Sequence, residues 1–262
     1  GSVELADAVN IGTTQIVTVT NGTFDTKNFN VTAYALSSSN SNVRTITLGS
    51  STVTISTSAT ALNFQPSTNL TFNAGTSQIT LTSATTATFA GGGQTFYNVS
   101  FTGTTAVITG ANTFNNFTLT APAAGLMQCI FAANNTISGT FTCAGATAVR
   151  RIFVRSDILG TTRTLTVGTL VADDCDFRDI TIAGTAAGGS PTRAGDCGGN
   201  SGITFPAPKT VYWNLSGAQN WSATGWCPTS GGTPDINQFP LAQDTAVFDE
   251  AGSVTGTITI NA

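Results

Sequence analysis

Four aspartates form the densest group of acidic side chains in the sequence: Asp173, Asp174, Asp176 and Asp179. The surrounding residues alternate as in a β-strand, where successive side chains point to opposite faces. We therefore expect Asp174 and Asp176 on the outer face and Cys175 on the inner face. Neighbouring carboxylates can separate each other's pKa values, as acid–base catalysis requires, and carboxylate oxygens are also preferred Ca²⁺ ligands. Asp173, Asp174 and Asp176 are thus a candidate site for structural calcium or for catalysis.

Three arginines precede this acidic group in the segment Val149-Arg-Arg-Ile-Phe-Val-Arg: Arg150, Arg151 and Arg155. A guanidinium group binds carboxylate, sulfate or phosphate oxygens through paired hydrogen bonds. These arginines could therefore bind an anionic glycan such as lipopolysaccharide or a sulfated polymer. The alternative is an ordinary solvated strand face whose charges are balanced by the nearby aspartates.

The three tryptophans of the chain lie close together in its C-terminal part, at Trp213, Trp221 and Trp226. Indole rings can stack against the C–H faces of sugars, so the three residues could form a platform for a glycan. In a small Gly-rich module, however, large aromatic side chains more often form the hydrophobic core. Both interpretations remain open at the level of the sequence.

Five cysteines and no histidine limit the chemistry further. Without histidine, a Ser-His-Asp or Cys-His catalytic unit is excluded, and no Cys-x-x-Cys pair indicates a zinc site. Cys197 and Cys227 lie in Gly-rich segments and are the candidates for a disulfide. Cys129 and Cys143 lie in strand-like segments, where buried free thiols are as good an interpretation as a disulfide.

Charged residues make up only 8% of the 262 residues, against about 25% in an average soluble protein. The surface must therefore be covered by Thr, Ser, Asn and Gln, which suits stiff extracellular or virion proteins. A net charge of −4 argues against nucleic acid as a partner, because phosphate binding needs clustered cations. No apolar run has the length of a membrane span, so membrane insertion is not expected.

Short strands must position these side chains. Segments such as Ser51-Thr-Val-Thr-Ile-Ser and Asn116-Phe-Thr-Leu alternate apolar residues with Thr or Ser, and Gly, Asn or Pro ends each run. A related tetrapeptide begins at Asn28, Asn69, Asn98, Asn116 and, in acidic form, at Asp179. Most of the separations are near multiples of about 20 residues, which is typical of one coil of a solenoid. Asn21-Gly22 is the only Asn-Gly or Asp-Gly hairpin signal, which favours parallel over antiparallel strands.

This pattern resembles right-handed parallel β-helices, in which each coil has three short strands. The resemblance implies that Asn28, Asn69, Asn98, Asn116 and Asp179 form a ladder at one corner, each bonded to its counterpart one coil away. We expect the β-helix over residues 1–185, a Gly-rich loop or linker over 186–209, and a small Trp- and Gly-rich β module over 210–262. The alternation of Ser253-Val-Thr-Gly-Thr-Ile-Thr-Ile predicts that this module leads into a further solenoid segment of a longer protein.

The C-terminal part also resembles a block of long β-solenoid proteins from phage virions and bacterial surfaces, with Tyr212-Trp213, Asn220-Trp-Ser, Ser230-Gly-Gly and Asp244-Thr-Ala-Val-Phe-Asp. The resemblance implies a structural and binding protein of a virion fibre, or alternatively a bacterial adhesin or filament. It further implies a homotrimer, a host-surface glycan as partner, a virion or extracellular location, and no cofactor beyond structural calcium.

A third hypothesis is a polysaccharide lyase or hydrolase, since some parallel β-helices are such enzymes. They usually take carboxylates from several adjacent coils. Between Asp25 and Asp157 the sequence contains neither Asp nor Glu. The sequence therefore favours a protein that is not an enzyme.

Overall fold

The computed structural model describes residues 1–123, 125–252 and 255–260, and this part of the chain is all-β with only three short 3₁₀ helices. Two nine-stranded sheets and one four-stranded sheet enclose a common core. Neighbouring strands in these three sheets are parallel, so the chain winds as a β-solenoid of about eight turns. The prediction of a parallel β-helix is confirmed. No helix among the described residues is long and apolar enough to cross a membrane.

Each of the first four coils gives one strand to the four-stranded sheet (sheet A), then one to the first nine-stranded sheet (sheet B), then one to the second nine-stranded sheet (sheet C). These strands are β1 (Ser2–Glu4), β2 (Val9–Asn10), β3 (Ile16–Thr18), β4 (Gly22–Asp25), β5 (Val31–Ala33), β6 (Ala35–Ser37), β7 (Arg44–Thr47), β8 (Thr52–Ile55), β9 (Thr60–Asn63), β10 (Leu70–Asn73), β11 (Gln78–Leu81) and β12 (Thr86–Ala90).

The later coils give one strand to sheet B and one to sheet C. These strands are β13 (Thr95–Phe101), β14 (Thr105–Thr109), β15 (Thr113–Thr120), β16 (Met127–Phe131), β17 (Asn135–Ala144), β18 (Ile152–Ser156), β19 (Arg163–Asp173), β20 (Cys175–Arg178), β21 (Ile180–Ala183) and β22 (Gly195–Asp196). From β13 to β19 the sheet B strands have 7 to 11 residues. A register shift between Phe114 and Phe117 interrupts the pairing of β15 with β17. One long, bent strand in each of these coils therefore takes the place of the separate sheet A and sheet B strands of the earlier coils.

The alternation seen in the sequence fills the interior with apolar side chains stacked from coil to coil. Phe96 stacks on Phe114 with ring centroids 5.8 Å apart, and Phe117 lies 5.8 Å from Phe141. These rings are almost completely buried. Burying such a side chain contributes about 2–3 kcal/mol, so the stack is a main source of stability.

Residues 186–209, which the sequence predicts as a loop or linker, instead close the C-terminal end of the solenoid. β22 pairs with β20, and single bridges join Thr181 to Ser201 and Gly189 to Ile203. Gly202 has a φ of +70°, and a Cβ there would lie 1.9 Å from the carbonyl oxygen of Ile182. Glycine permits this close approach, so the Gly-rich composition allows a tight cap here.

The Trp-rich module is confirmed as a small β unit after the cap. It contains β23 (Thr210–Trp213), β24 (Gln219–Asn220), β25 (Trp226–Cys227), β26 (Thr245–Val247) and β27 (Ile258–Thr259). The 3₁₀ helices are Gly184–Ala186, Ile236–Gln238 and Glu250–Gly252. Ser253 and Val254, at the start of the predicted final strand, lie outside the described residues.

The module is fixed to the solenoid by packing and by hydrogen bonds. Its tryptophan core contacts Ala148 and Val149 of the solenoid. Gln243 donates to the carbonyl oxygen of Ala194 at 3.1 Å and accepts from the backbone N–H of Asp196 at 2.9 Å. The two parts therefore form a continuous structure across the cap.

Of the five residues expected to form the ladder, only Asn98 and Asn116 are joined by a hydrogen bond between their side chains. Asn116 donates through Nδ2 to Oδ1 of Asn98 at 2.9 Å, and its own Oδ1 accepts from the N–H of Thr140 at 2.9 Å. These three residues lie on successive coils, at the bend of the long sheet B strands.

The other three ladder residues lie at different corners. Asn28, Asn69 and Asp179 have φ values of 69°, 58° and 55°, the left-handed conformation expected of corner residues. Asn28 follows β4, Asn69 precedes β10, and Asp179 separates β20 from β21. The five residues cannot form a single column, because similar tetrapeptides begin strands of different sheets.

Candidate binding site

The arginine and aspartate groups are joined to each other by buried ion pairs. Arg151 donates through Nε and Nη2 to the two carboxylate oxygens of Asp176, both at 2.8 Å. Asp174 accepts from Arg193 at 2.6 and 2.7 Å, and this hydrogen bond raises the pKa of Arg193. Arg151 and Asp174 are both buried. The network ties β18, β20 and the cap together.

Asp174 and Asp176 differ in burial and in position relative to the strand. Asp174 has a φ of 51° and is buried by its pairing with Arg193 and Arg151, whereas Asp176 stays partly exposed. Asp174 lies at the corner before β20 and Asp176 lies within β20, so the expectation that both stand on one strand is wrong for Asp174. Among the described residues, Asp173 included, no group of three His, Cys, Asp or Glu residues is arranged to hold a metal ion.

The other two arginines of the predicted patch differ from Arg151. Arg155 donates to Gln128 Oε1 and to the carbonyl oxygen of Ser156, both at 3.1 Å, and Arg150 bonds the carbonyl oxygen of Ala123. No described carboxylate lies within ion-pair distance of Arg150 or Arg155. Both side chains are half-buried, so their charges remain available to a ligand.

A groove lies beside these arginines, on the outer face of sheet C next to the Trp-rich module. It consists of three adjoining depressions of about 300, 140 and 260 Å³ that share the side chain of Leu126, and we call it the Leu126 groove. Its lining includes Leu126, Gln128, Val149, Arg150, Phe153 and Phe239. Leu126 is 46% exposed and contributes apolar surface to all three depressions.

The strand register positions the polar groups of the groove. Gln128 is the register partner of Phe153, and Ile130 is that of Arg155, so the four side chains stand in two adjacent rows on β16 and β18. Arg178 on β20 lies with its guanidinium carbon 5.4 Å from the centre of the Phe153 ring. The groove thus combines an apolar floor with amide and guanidinium groups, and the Asp176 carboxylate that lines its smallest depression is paired with Arg151.

The tryptophans form a core and not an exposed platform. Trp213 and Trp226 are fully buried with ring centroids 5.1 Å apart, and Trp221 packs at 4.7 Å from Trp226. The indole N–H of Trp213 donates to the carbonyl oxygen of Leu215 at 2.8 Å. Trp213 and Trp226 are therefore inaccessible to a sugar, and the half-buried Trp221 packs edge-to-face with Trp226.

All five cysteines are free thiols, so the predicted disulfide between Cys197 and Cys227 is not formed. Cys227 is buried within the Trp-rich module, with Sγ 3.1 Å from the carbonyl oxygen of Tyr212, while Cys197 is exposed on the cap. Cys129 and Cys143 are buried in the solenoid core. Burial raises the pKa of the Cys129 thiol, which keeps it protonated and unreactive.

Sequence reasoning missed a buried asparagine pair that bonds three coils. Asn112 accepts from the N–H of Gly93 at 3.1 Å and donates from its own N–H to Asn135 Oδ1 at 3.0 Å. Both side chains are at least 95% buried. The signal in the sequence is Asn-Thr followed by an apolar residue at both positions, 23 residues apart.

Arg44 is a second buried residue whose role the sequence did not indicate. It is 1% exposed and donates to the carbonyl oxygens of Ser38, Pro66 and Thr68 at 2.6, 3.0 and 2.7 Å. Burial lowers the pKa of its guanidinium, though the group stays charged. Arg44 therefore ties two coils at one corner and is not part of a surface site.

No protein-family model matches the chain, and no curated protein or solved structure is significantly similar to it.

Proposed function

We propose that the chain is a structural and binding segment of an extracellular fibre that contacts an anionic glycan on a host surface through the Leu126 groove. A virion fibre is the first candidate, and a bacterial adhesin or filament subunit is the alternative. The proposal includes assembly as a homotrimer, by resemblance to virion fibres. It assigns the chain no enzymatic activity and no cofactor.

The observation that carries this proposal is the pair of unneutralised arginines beside an apolar groove. Arg150 lines the groove, and Arg155 is held at its side by Gln128. A sugar ring can pack on Phe153 and Leu126, while a sulfate or carboxylate substituent pairs with a guanidinium group. The combined volume is in the range of sites for small ligands, which fits a few sugar units.

A polysaccharide-degrading activity has less support. The carboxylates that it would use, Asp174 and Asp176, are held by Arg193 and Arg151 and lie in different orientations. An acid–base pair needs one carboxylate that is free to exchange a proton with the substrate. The rigid solenoid with its almost uncharged surface suits a structural role better.

Binding of dextran sulfate, with unmodified dextran as the neutral comparison, tests the proposal. We expect the purified chain to bind dextran sulfate only, with an affinity that falls as salt is added. Phe153→Ala and Arg155→Gln should each weaken binding about tenfold, since the first removes the ring on which a sugar would pack and the second removes a guanidinium group beside the groove. Arg163→Gln is the matched control, because Arg163 is paired with Asp157 away from the groove.

Two results would contradict the proposal. One is equal binding by the Arg155→Gln and Arg163→Gln variants, which would show that dextran sulfate responds only to overall charge. The other is no binding of dextran sulfate at all. Light scattering tests the assembly separately: a mass near that of one 26.6 kDa chain would exclude the homotrimer.

A further inference from the structure

The outer face of sheet B carries a column of hydroxyl side chains that the glycan proposal does not use. In-register positions on six successive coils are occupied by Thr32, Thr54, Thr80, Ser100, Thr118 and Thr142. The register shift between β15 and β17 falls before this position, so the column is unbroken. The same group therefore repeats at the strand separation of about 4.8 Å.

A second column stands two residues earlier on the same strands and is also neutral. It runs through Thr52, Gln78, Asn98 and Asn116. Its amides bond along the face: Asn116 donates to Asn98 at 2.9 Å, and Gln78 donates to Ser100 of the first column at 3.1 Å. These bonds hold the side chains of the face in fixed positions.

The face lacks the groups that attract most ligands. Arg44 is the only charged residue between Lys27 and Arg150, and it is buried. Neither column contains an aromatic residue, so sugar rings have nothing to stack on. The face therefore fits a partner that is itself neutral, extended and periodic.

We infer that the outer face of sheet B is an ice-binding surface. Ice planes are uncharged arrays of water oxygens, and their rows repeat at nearly the separation of β-strands. Each threonine offers a hydroxyl that bonds water and a methyl group around which water orders. One such contact is weak, but contacts fixed at a common spacing act together, because the scaffold has already lost the entropy of arranging them.

Sheet C supplies the internal comparison. The corresponding outward positions there change character from coil to coil, from Thr88 to Val107, Ile130 and Arg155. Thr80 and Thr88 belong to the same coil and are both half-buried, but they stand on different faces. Thr80→Tyr and Thr88→Tyr therefore form a matched pair of substitutions.

The test is inhibition of ice recrystallisation together with thermal hysteresis, measured on the purified chain. We expect the chain to arrest crystal growth at micromolar concentration. Thr80→Tyr interrupts the column at its centre, so simultaneous contact along the column is lost. The concentration of this variant that arrests crystal growth should therefore be about tenfold higher. Thr88→Tyr should behave as the unaltered chain, and circular dichroism should show both variants folded.

The inference is independent of the glycan proposal, whose experiment uses different residues and a different readout. It is overturned if the chain inhibits ice recrystallisation no better than serum albumin at equal mass. It is also overturned if Thr80→Tyr and Thr88→Tyr lose this inhibition equally. It is also overturned if light scattering shows copies associating through this face and Thr80→Tyr separates them, since the column would then be an assembly interface.

Discussion

Arg151 and Asp176 stand on adjacent coils and meet through two parallel hydrogen bonds of 2.8 Å, in a site where the arginine side chain is only 6% exposed. Arg151, which the sequence predicts as a ligand-binding residue, therefore has a structural role. The charge that the sequence places near the acidic group is used within the protein, and only Arg150 and Arg155 are left for a partner.

Replacing Arg151 by methionine should destabilise the protein by about 3–5 kcal/mol, because Asp176 and Asp174 lose a buried cationic partner. Chemical denaturation followed by circular dichroism measures the effect. Arg163→Met is the control, since its pair with Asp157 is more exposed and should contribute about 0–1 kcal/mol. Equal losses in the two variants would contradict a structural role specific to Arg151.

Asn112→Ala should cost about 2–3 kcal/mol of unfolding free energy. The substitution leaves the N–H of Gly93 and the carbonyl oxygens of Thr109 and Gly110 without their buried partner. Asn73→Ala, on an exposed position with one bond of 3.3 Å to Thr47, should change stability by less than about 0.5 kcal/mol. A thermal melt of both variants beside the unaltered chain distinguishes these outcomes.

Two serines at equivalent corners of neighbouring coils should respond in opposite directions. Ser51 donates to Thr26 Oγ1 at 2.7 Å, whereas the buried Oγ of Ser77 has no partner in the described part of the chain. Ser51→Ala should destabilise by about 1 kcal/mol, and Ser77→Ala should be neutral or stabilising by a similar amount. Denaturation midpoints measure both, and a loss for Ser77→Ala would mean that its hydroxyl is bonded.

Thiol labelling should modify one cysteine in the native protein and five after denaturation, because only Cys197 is exposed. Desolvation, followed by the charges of Asp176 and Asp196, raises the pKa of Cys197 to about 11. The reactive thiolate is therefore scarce at pH 8 and increases as the pH approaches 11. Stopped-flow labelling between pH 7 and 11 should show this rise, and a plateau near pH 9 would contradict it.

Much of the fold follows directly from the sequence. Alternating apolar and hydroxyl residues in short runs require a strand with one buried face, and the scarcity of hairpin signals favours parallel winding. The spacing of coils is harder to read. The residues of the sheet B column are 22, 26, 20, 18 and 24 positions apart, because corner loops of different length separate strands of constant pitch. One fixed period therefore does not hold along the chain, and Asn69 lies at a different corner from Asn98 and Asn116.

The sequence by itself determined the β-solenoid, the Trp-rich module and the absence of charge from the central coils, since these depend on local alternation and composition. Only the tertiary structure decided which residues face each other. Asp174 lies at a corner and pairs with Arg193 of the cap, the tryptophans pack together, and the Gly-rich segment closes the solenoid. Asp174 and Arg193 are 19 positions apart, and Trp213 and Trp226 are 13 positions apart, so alternation along one strand does not indicate that they meet. Local patterns fix the direction of a side chain along its strand, but the stacking of coils fixes its neighbours.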